Sequence, residues 1–468
     1  MAVRTQRALT VALGLMLASC SIFPDYKRPS TEPPQSWKTE PLQPGAWPSA
    51  DWWRGFGSSQ LDSFIAEAEA GNLDLAAAAA RVREADAQAR VAGAALLPAV
   101  GLGASVARTR QPASSTVSGP RTNTFYDAQI SASYEIDFWG KNKASLESAK
   151  ETAQASRYSA ETVALTMVAS VATTYFQVLE LRDQIAVTEA NLQAAQSVLA
   201  ALRAQEAAGT ENELDVTQQE TTVATLQAQL PPLQQQLRQN IDALAILLGK
   251  LPEQLDIDSG TLADLSRPAV APGLPSELLA RRPDVAMSEA ALESAHANIT
   301  VARAQFYPSI QLTAQGGFES TALSSLFGPA GFLYSLAAGV TQPIFEGGRL
   351  EGQLDFSKAF YDELLQGYRK SVISAFQDAE DALVATQQTE EQERRQQVAV
   401  DTAQRAFDIA NAQLRAGTVT VLTVLNTENA LFSAQNTLLQ VKLARLDAIV
   451  SLFRALGGGW KNTGGSNA

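Results

Sequence analysis

Two halves of this chain repeat one another about 208 residues apart. Gly209-Thr210 matches Gly417-Thr418, Leu214 matches Leu422, Val216 matches Val424 and Glu220 matches Glu428, all at an offset of 208. Ile241 matches Ile449, and Leu248-Gly249 matches Leu456-Gly457, at the same offset. Earlier in each half the offset drifts by a residue or two: Asp74 and Pro98 match Asp284 and Pro308, while Phe138 and Gly140 match Phe345 and Gly347. Chance identity between Ala-rich helices gives scattered pairs, not an ordered series. The chain is therefore a duplicated supersecondary unit.

Each half predicts a helix, two strands, a very long helix and a shorter helix. The first helices cover 60–97 and 276–307 and end at Pro98 and Pro308, because proline disfavours helix at the residue before it. Strands follow at 98–109 and 124–138, and again at 309–319 and 332–345. Helical stretches then run over 141–208 and 348–416. At 1.5 Å per residue each is ~100 Å long, against ~11–12 residues for an ordinary globular helix. Gly209 and Gly417 close them, and shorter helices return over 212–248 and 419–456. Pro231-Pro232 is expected to break or kink the first of these, since neither residue supplies a backbone N–H.

In the first long helix Val171, Val178, Ile185, Leu192 and Leu199 fall seven apart, and Leu181, Ala195 and Leu202 follow on the adjoining seam. Thr174 and Thr188 soften that coiled-coil pattern. Such a helix must pack against similar helices along its length. The prolines at 29, 33, 34, 41, 44 and 48, and the linker from Leu251 to Ser276, read as extended connections that wrap the helices.

The strands alternate. From Tyr126 to Phe138 every second residue is apolar and the residues between are polar; Ile310, Leu312, Ala314 and Phe318 alternate with Ser309, Gln311, Thr313, Gln315 and Glu319. One such strand suits a soluble sandwich equally well. Segments of about 9–13 residues with aromatic ends suit strands crossing a bilayer. Four strands cannot close a barrel, since the smallest use about eight, and open edges in lipid leave backbone groups unpaired. The barrel must then be shared between chains. Two copies give eight strands and three give twelve; polar inward rows favour the larger, water-filled count.

The N-terminus says where the chain goes. Arg4 and Arg7 precede an apolar run from Ala8 to Leu17, then Ala18-Ser19-Cys20, which is a secretory signal pattern over residues 1–19. Ending in cysteine, it resembles a bacterial lipoprotein box, which implies diacylglycerol and an N-acyl chain on Cys20, the only cysteine. Ser21 after it implies outer-membrane sorting. No other segment of the sequence reads as a membrane-spanning helix. The 468 residues carry a net charge of −13, and removing Arg4 and Arg7 with the signal leaves −15. Nucleic acid is excluded as a partner, because phosphate binding needs a clustered basic face. One His and four Met give no metal-ligand cluster and no cofactor.

An enzyme is equally poorly supported. His296 stands alone in an Ala-rich helix, with no partners for nucleophilic catalysis. Glu135 and Asp137 imitate a glycosidase pair but read better as solvated lumen residues. Gly457-Gly458-Gly459 lacks the rest of a phosphate-loop pattern. A purely structural coiled-coil lipoprotein is disfavoured by the alternating strands.

The motifs resemble those of the TolC-type outer-membrane efflux family, in its lipidated OprM-like branch. They are Cys20 to Pro29, Tyr134-Glu135-Ile136-Asp137-Phe138-Trp139-Gly140, Arg281-Arg282-Pro283-Asp284-Val285, Phe306-Tyr307-Pro308-Ser309-Ile310 and Gln342 to Arg349. The resemblance implies an α+β membrane protein: a homotrimer with a twelve-stranded outer-membrane barrel, four strands per chain, continued by a twelve-helix periplasmic tunnel. It implies passive conduction, with a periplasmic adaptor and an inner-membrane pump of RND type as partners. The alternative keeps the duct for ABC-driven type I protein secretion.

The resemblance also places a periplasmic gate on Leu422, Thr423 and Asn426, where many relatives carry carboxylates, so a mainly apolar constriction with weak cation selectivity is expected. Asp215 keeps one position of a tip-closing link, but its arginine and tyrosine partners are replaced by Val419 and Leu414. Gly209, Thr210, Gly417, Thr418 and Val419 are expected to face the adaptor. The domain organisation that follows is a signal over 1–19, a lipidated extended segment over 20–60, repeats over 61–250 and 276–457, a linker over 251–275 and a flexible tail over 458–468.

Overall fold

A computed structural model describes residues 26–30, 33–39, 47–112, 121–257, 259–270 and 273–461. Cys20, the signal and the last residues of the tail lie outside the described residues. After a short 3-10 helix at Trp52–Phe56 come α1 (Ser59–Gly71), α2 (Leu73–Ala94), β1 (Ala99–Gln111), β2 (Arg121–Ile136), α3 (Lys141–Ala207) and α4 (Glu213–Leu247). The second half supplies α5 (Pro275–Leu278), α6 (Pro283–Ala304), β3 (Ser309–Ser320), β4 (Phe332–Thr341), α7 (Arg349–Arg415) and α8 (Val421–Ala455). Both long helices have 67 residues and both return helices 35.

Three expectations about the helices need correction. The helices expected at 60–97 and 276–307 are each broken in two. Asn72 leaves the helix in extended conformation between α1 and α2, and Pro283 starts α6 afresh. Pro231-Pro232 does not break α4, which runs through both. The carbonyls that lose a partner belong to exposed Gln227 and Ala228, where water replaces the missing N–H. Finally, one stretch of α3 is long and apolar enough to cross a membrane, with a mean hydropathy of 1.5, but half of that window is buried within the protein. Its apolar residues make core.

The duplication is visible in the joints. Asn72 Nδ2 donates to Leu247 O at 2.8 Å, and Arg282 Nη1 donates to Ala455 O at 3.3 Å, at the matching place in the second half. A Cβ on Gly249 would lie 2.1 Å from Gly71 O, and one on Gly457 only 1.8 Å from Arg281 O. Both joints close by backbone approach that only glycine permits.

The described residues form two compact units, and neither coincides with a repeat. Each draws on both halves of the sequence. One, built mainly from 81–156 and 287–368, contains a four-stranded antiparallel sheet in the order β1-β2-β3-β4. Its register aligns Ala104, Ala128, Phe318 and Phe332 in one row, Leu102, Ile130, Gly316 and Tyr334 in the next, then Val100, Ala132, Ala314 and Leu336. Between these rows lie Gly103, Gln129, Gly317 and Leu333, then Gly101, Ser131, Gln315 and Ser335, with Ser133 and Thr313 just beyond the last. Through these rows one face is apolar, giving way to Arg108, Arg110, Thr122 and Thr124 farther along β1 and β2, while the opposite face is mostly polar or small, with Phe125 and Leu333 as exceptions. Glu135 pairs with Lys141 at 2.5 Å, and Asp137 accepts from Asn142 N and Lys143 N at 2.9 and 2.8 Å, capping α3. Local structure accounts for the acid pair.

The second unit holds the larger core, centred on Phe56, Phe176, Leu244 and Leu446, with Trp52 stacked on Phe453 at 4.7 Å. The linker is packed into it: Leu262 and Leu265 are buried, and Leu262 N reaches Asp183 at 3.0 Å. Trp37, from the proline-rich stretch, donates to Gly273 O at 2.8 Å. The tail expected to be flexible from 458 begins instead with packed residues. Gly459 is buried, and the Trp460 ring meets Tyr158 edge-on at 5.7 Å.

Candidate functional site

The two ends where long helices turn back, 207–213 and 415–421, carry the predicted gate and tip residues. Both turns close alike. Gly209 and Gly417 take φ of 73° and 71°, in the left-handed region that favours glycine. Thr210 N then reaches Gln205 O at 2.9 Å, and Thr418 N reaches Gln413 O at 3.0 Å. Gly209 N and Gly417 N bond Glu206 O and Leu414 O, completing Schellman closures that satisfy the last helical carbonyls. The Thr210 and Thr418 hydroxyls donate to those same glutamine carbonyls at 3.0 and 3.1 Å. Gly209, Thr210, Gly417 and Thr418 are exposed, and Val419 is half-buried.

On α8 the helical period separates two faces. Val421, Val424 and Leu425 are buried, whereas Leu422, Thr423 and Asn426 lie together on the exposed side, Leu422 at 54%. The structure thus brings the three predicted gate residues onto one free face of α8. Asp215 does not join them. It is the third residue of α4, and its backbone N–H donates to the N-cap Asn212 Oδ1 at 3.1 Å. Asn212 Nδ2 donates back to the Asp215 carboxylate at 2.6 Å. That is a helix cap, favoured also by the positive end of the helix dipole.

Behind the exposed faces, Ala195, Leu199, Leu202, Val216, Val223, Leu226, Val421 and Leu425 make one apolar core across α3, α4 and α8. Polar groups that sequence reasoning passed over lie within or beside it. Gln219 is fully buried, and its Nε2 donates to Ala195 O at 2.9 Å while its Oε1 has no partner. Asn191 Nδ2 donates to Gln435 Oε1 at 2.9 Å. Glu428 is only 3% exposed, and neither carboxyl oxygen has a donor in hydrogen-bonding geometry. Burial pushes its carboxyl above the usual carboxylate range, and the facing Gln219 amide offsets part of that. Its repeat counterpart Glu220 instead pairs at the surface with Arg203 at 2.6 Å. The signal was in the sequence: Arg203 corresponds to Asn411, so the second half kept the acid and lost its base.

Among the described residues no group of three or more His, Cys, Asp or Glu side chains is placed to hold a metal ion. The geometry offers a turn, a free apolar-to-neutral face and a sheet with lipid-like and water-like sides. These are the parts of a passage.

Comparison with known proteins agrees. The family model described as outer membrane efflux protein matches residues 64–250 and 274–458. The pyoverdine export outer membrane protein OpmQ of Pseudomonas putida is 41% identical over 456 residues, 96% of each chain. The toluene efflux pump outer membrane protein TtgF of Pseudomonas putida is 33% identical over 467 residues, 97% of each. Among solved structures, CusC superposes with a TM-score of 0.85 at 31% identity, covering 94% of this chain and all of that one.

Proposed function

The chain belongs to the outer membrane efflux protein family, and from that premise we propose that three copies close one barrel and form the exit duct of a tripartite efflux system. The protein is an outer-membrane channel. The finer reading is that it takes cargo from a periplasmic adaptor coupled to an RND-type pump and conducts it passively, the pump supplying the energy. Diacylglycerol and an N-acyl chain on Cys20 would add an anchor.

The observation that carries this reading is the sheet. It has an apolar face across its middle rows and two unpaired edges, at β1 and β4. In hydrocarbon each unsatisfied backbone group costs several kcal/mol (~2–7 by transfer measurements), so both edges must meet strands of other copies. Three copies give the twelve strands that leave an aqueous lumen. The higher identity to the relative named for pyoverdine export supports cargo of that kind over toluene-like solvents.

Photocrosslinking in cells from Val419, with the captured protein identified by mass spectrometry, tests the assembly. An RND-linked adaptor is expected. Capture of an ABC-linked adaptor would move the duct to protein secretion, and no capture by a properly inserted variant would remove the turns from the docking end. Single-channel recording tests the constriction. Leu422→Ser should raise conductance, and an unchanged current would take Leu422 out of the gate.

A further inference from the structure

The face of the sheet that carries the apolar rows also carries two charges, both arginine and both toward the hairpin end. Period-two alternation puts Arg108 and Arg110 on the same side of β1 as Val100, Leu102, Ala104 and Val106. The register sets Arg108 opposite Thr124 and Arg110 opposite Thr122 on β2. No other residue on that face of the four strands is charged. The strands' acids, Asp127, Glu135 and Glu319, all belong to the other face. Both arginines are exposed, and their face of the sheet offers no carboxylate to pair with them. In a chain with a net charge of −13, such sorting leaves a local positive site.

The height of the pair follows from strand geometry. On β2 the apolar face runs from Ile136 to Tyr126, ~34 Å along the strand. At a tilt of ~40° that rises ~26 Å, which matches the ~25 Å apolar band of a transmembrane barrel. The band has an aromatic edge toward the hairpins: Tyr126 stands in the row of Val106, and Phe318 meets Phe332 at 5.8 Å and Phe327 at 5.5 Å. Aromatic residues collect where membrane meets water. Arg108 and Arg110 lie one and two rows farther on, ~5 and ~10 Å higher by the same geometry, where headgroups replace acyl chains. At their opposite ends all four strands join helices, α2, α3, α6 and α7, the part of such channels that extends into the periplasm. The hairpin end therefore faces out of the cell.

The outer leaflet of an outer membrane consists of glycolipids that carry phosphate on their acylated sugars. We propose that Arg108 and Arg110 form a docking site for the phosphorylated sugar of such a glycolipid, whose acyl chains lie along Leu102, Val106 and the aromatic edge. A guanidinium fork matches phosphate oxygens bidentately, and the facing threonine hydroxyls supply further donors. The apolar rows accept any acyl chain; the two arginines select for phosphate. The inference rests on the apolar face meeting lipid and is independent of what the duct carries.

The test uses the assembled full-length protein in phosphatidylcholine bilayer discs containing equal amounts of diphosphorylated lipid A and the same glycolipid stripped of phosphate. Native mass spectrometry of the released protein reads which glycolipid it retains. The parent should prefer the phosphorylated form, and less so as salt rises. Arg108→Gln and Arg110→Gln should each cut that preference about fivefold, the worth of one basic side chain at an anionic lipid surface, and the double variant should nearly abolish it. Lys143→Gln removes an exposed positive charge at the helix end of β2 and should leave the preference unchanged.

Equal retention of the two glycolipids by the parent overturns the site. So does an undiminished preference in the double variant, or an equal loss in Lys143→Gln. Should the double variant fail to assemble, the single variants and the parent's own preference still decide. Failure of the parent to insert would remove the barrel and the site with it; insertion without preference removes the site alone.

Discussion

The two turns of this chain share a backbone and differ in almost every side chain that matters. In the first, Glu211, Glu213 and Asp215 surround a capped helix start at Asn212. In the second the same positions hold Val419, Val421 and Thr423, and the N-cap Thr420 makes no side-chain capping bond. The acidic turn is fastened locally, within its own first helical turn. The apolar one is fastened by burial: Val421 is 1% exposed and packs with Val216 and Leu425 in the common core. Duplication preserved the Schellman closures, which depend on glycine and main chain, and freed the remaining positions to divide the work. One end became capped and charged, the other dependent on its neighbour.

The largest effect is expected where the halves agree, at the joints. Gly457→Ala puts a Cβ 1.8 Å from Arg281 O in a residue with φ of 83°. The left-handed conformation alone costs ~1–2 kcal/mol, and the clash adds to it, so heat-stable assemblies on a gel should be largely lost. Gly249→Ala, at 2.1 Å from Gly71 O, should come close.

Next come the side chains that seal those joints differently. Arg282 is buried and binds Asp284 at 2.6 Å and Asp378 at 2.9 Å, which holds the Asp284 carboxyl below its ordinary range against the opposing effect of burial. Arg282→Ala should cost about 3 kcal/mol in chemical denaturation, the low end for breaking a buried pair, because both acids keep some solvent. Asn72→Ala loses a cap to Leu75 N and the bond to Leu247 O, worth about 1–2 kcal/mol. Equal losses would show that the ion pairs add nothing to the shared carbonyl bond.

The smallest effect sharpens the contrast between turns. Asn212→Ala should loosen the first turn by about 1 kcal/mol, the usual worth of an N-cap, read as faster amide exchange over 210–216. Thr420→Ala should stay within ~0.5 kcal/mol. A comparable change in both would mean that the second turn is capped in the assembled protein.

Much of this architecture could be read from residue order. Period-two alternation at 126–138 and glycine at 209 and 417 are local signals, and each appears where expected. The trouble lay with features decided by tertiary surroundings. Pro231-Pro232 reads as a break, but α4 tolerates it because the abandoned carbonyls face solvent. The run through α3 that passes for a membrane span is apolar because it fills the core at Val171, Phe176 and Val178. In the site, Leu422, Thr423 and Asn426 were legible through resemblance and fall on one face, while the cap that Asp215 makes with Asn212 was not read from the residues. Glu428 was seen only as half of a repeat pair, since burial is not a property of one residue type.

The unpaired edges of β1 and β4 also govern how the protein lives and dies. A sheet that cannot be completed within one chain ties the stability of its membrane part to copy number, so dilution acts on it as a denaturant does. For the same reason a single copy with a damaged edge strand acts as a poison subunit. It disables its sound partners along with itself.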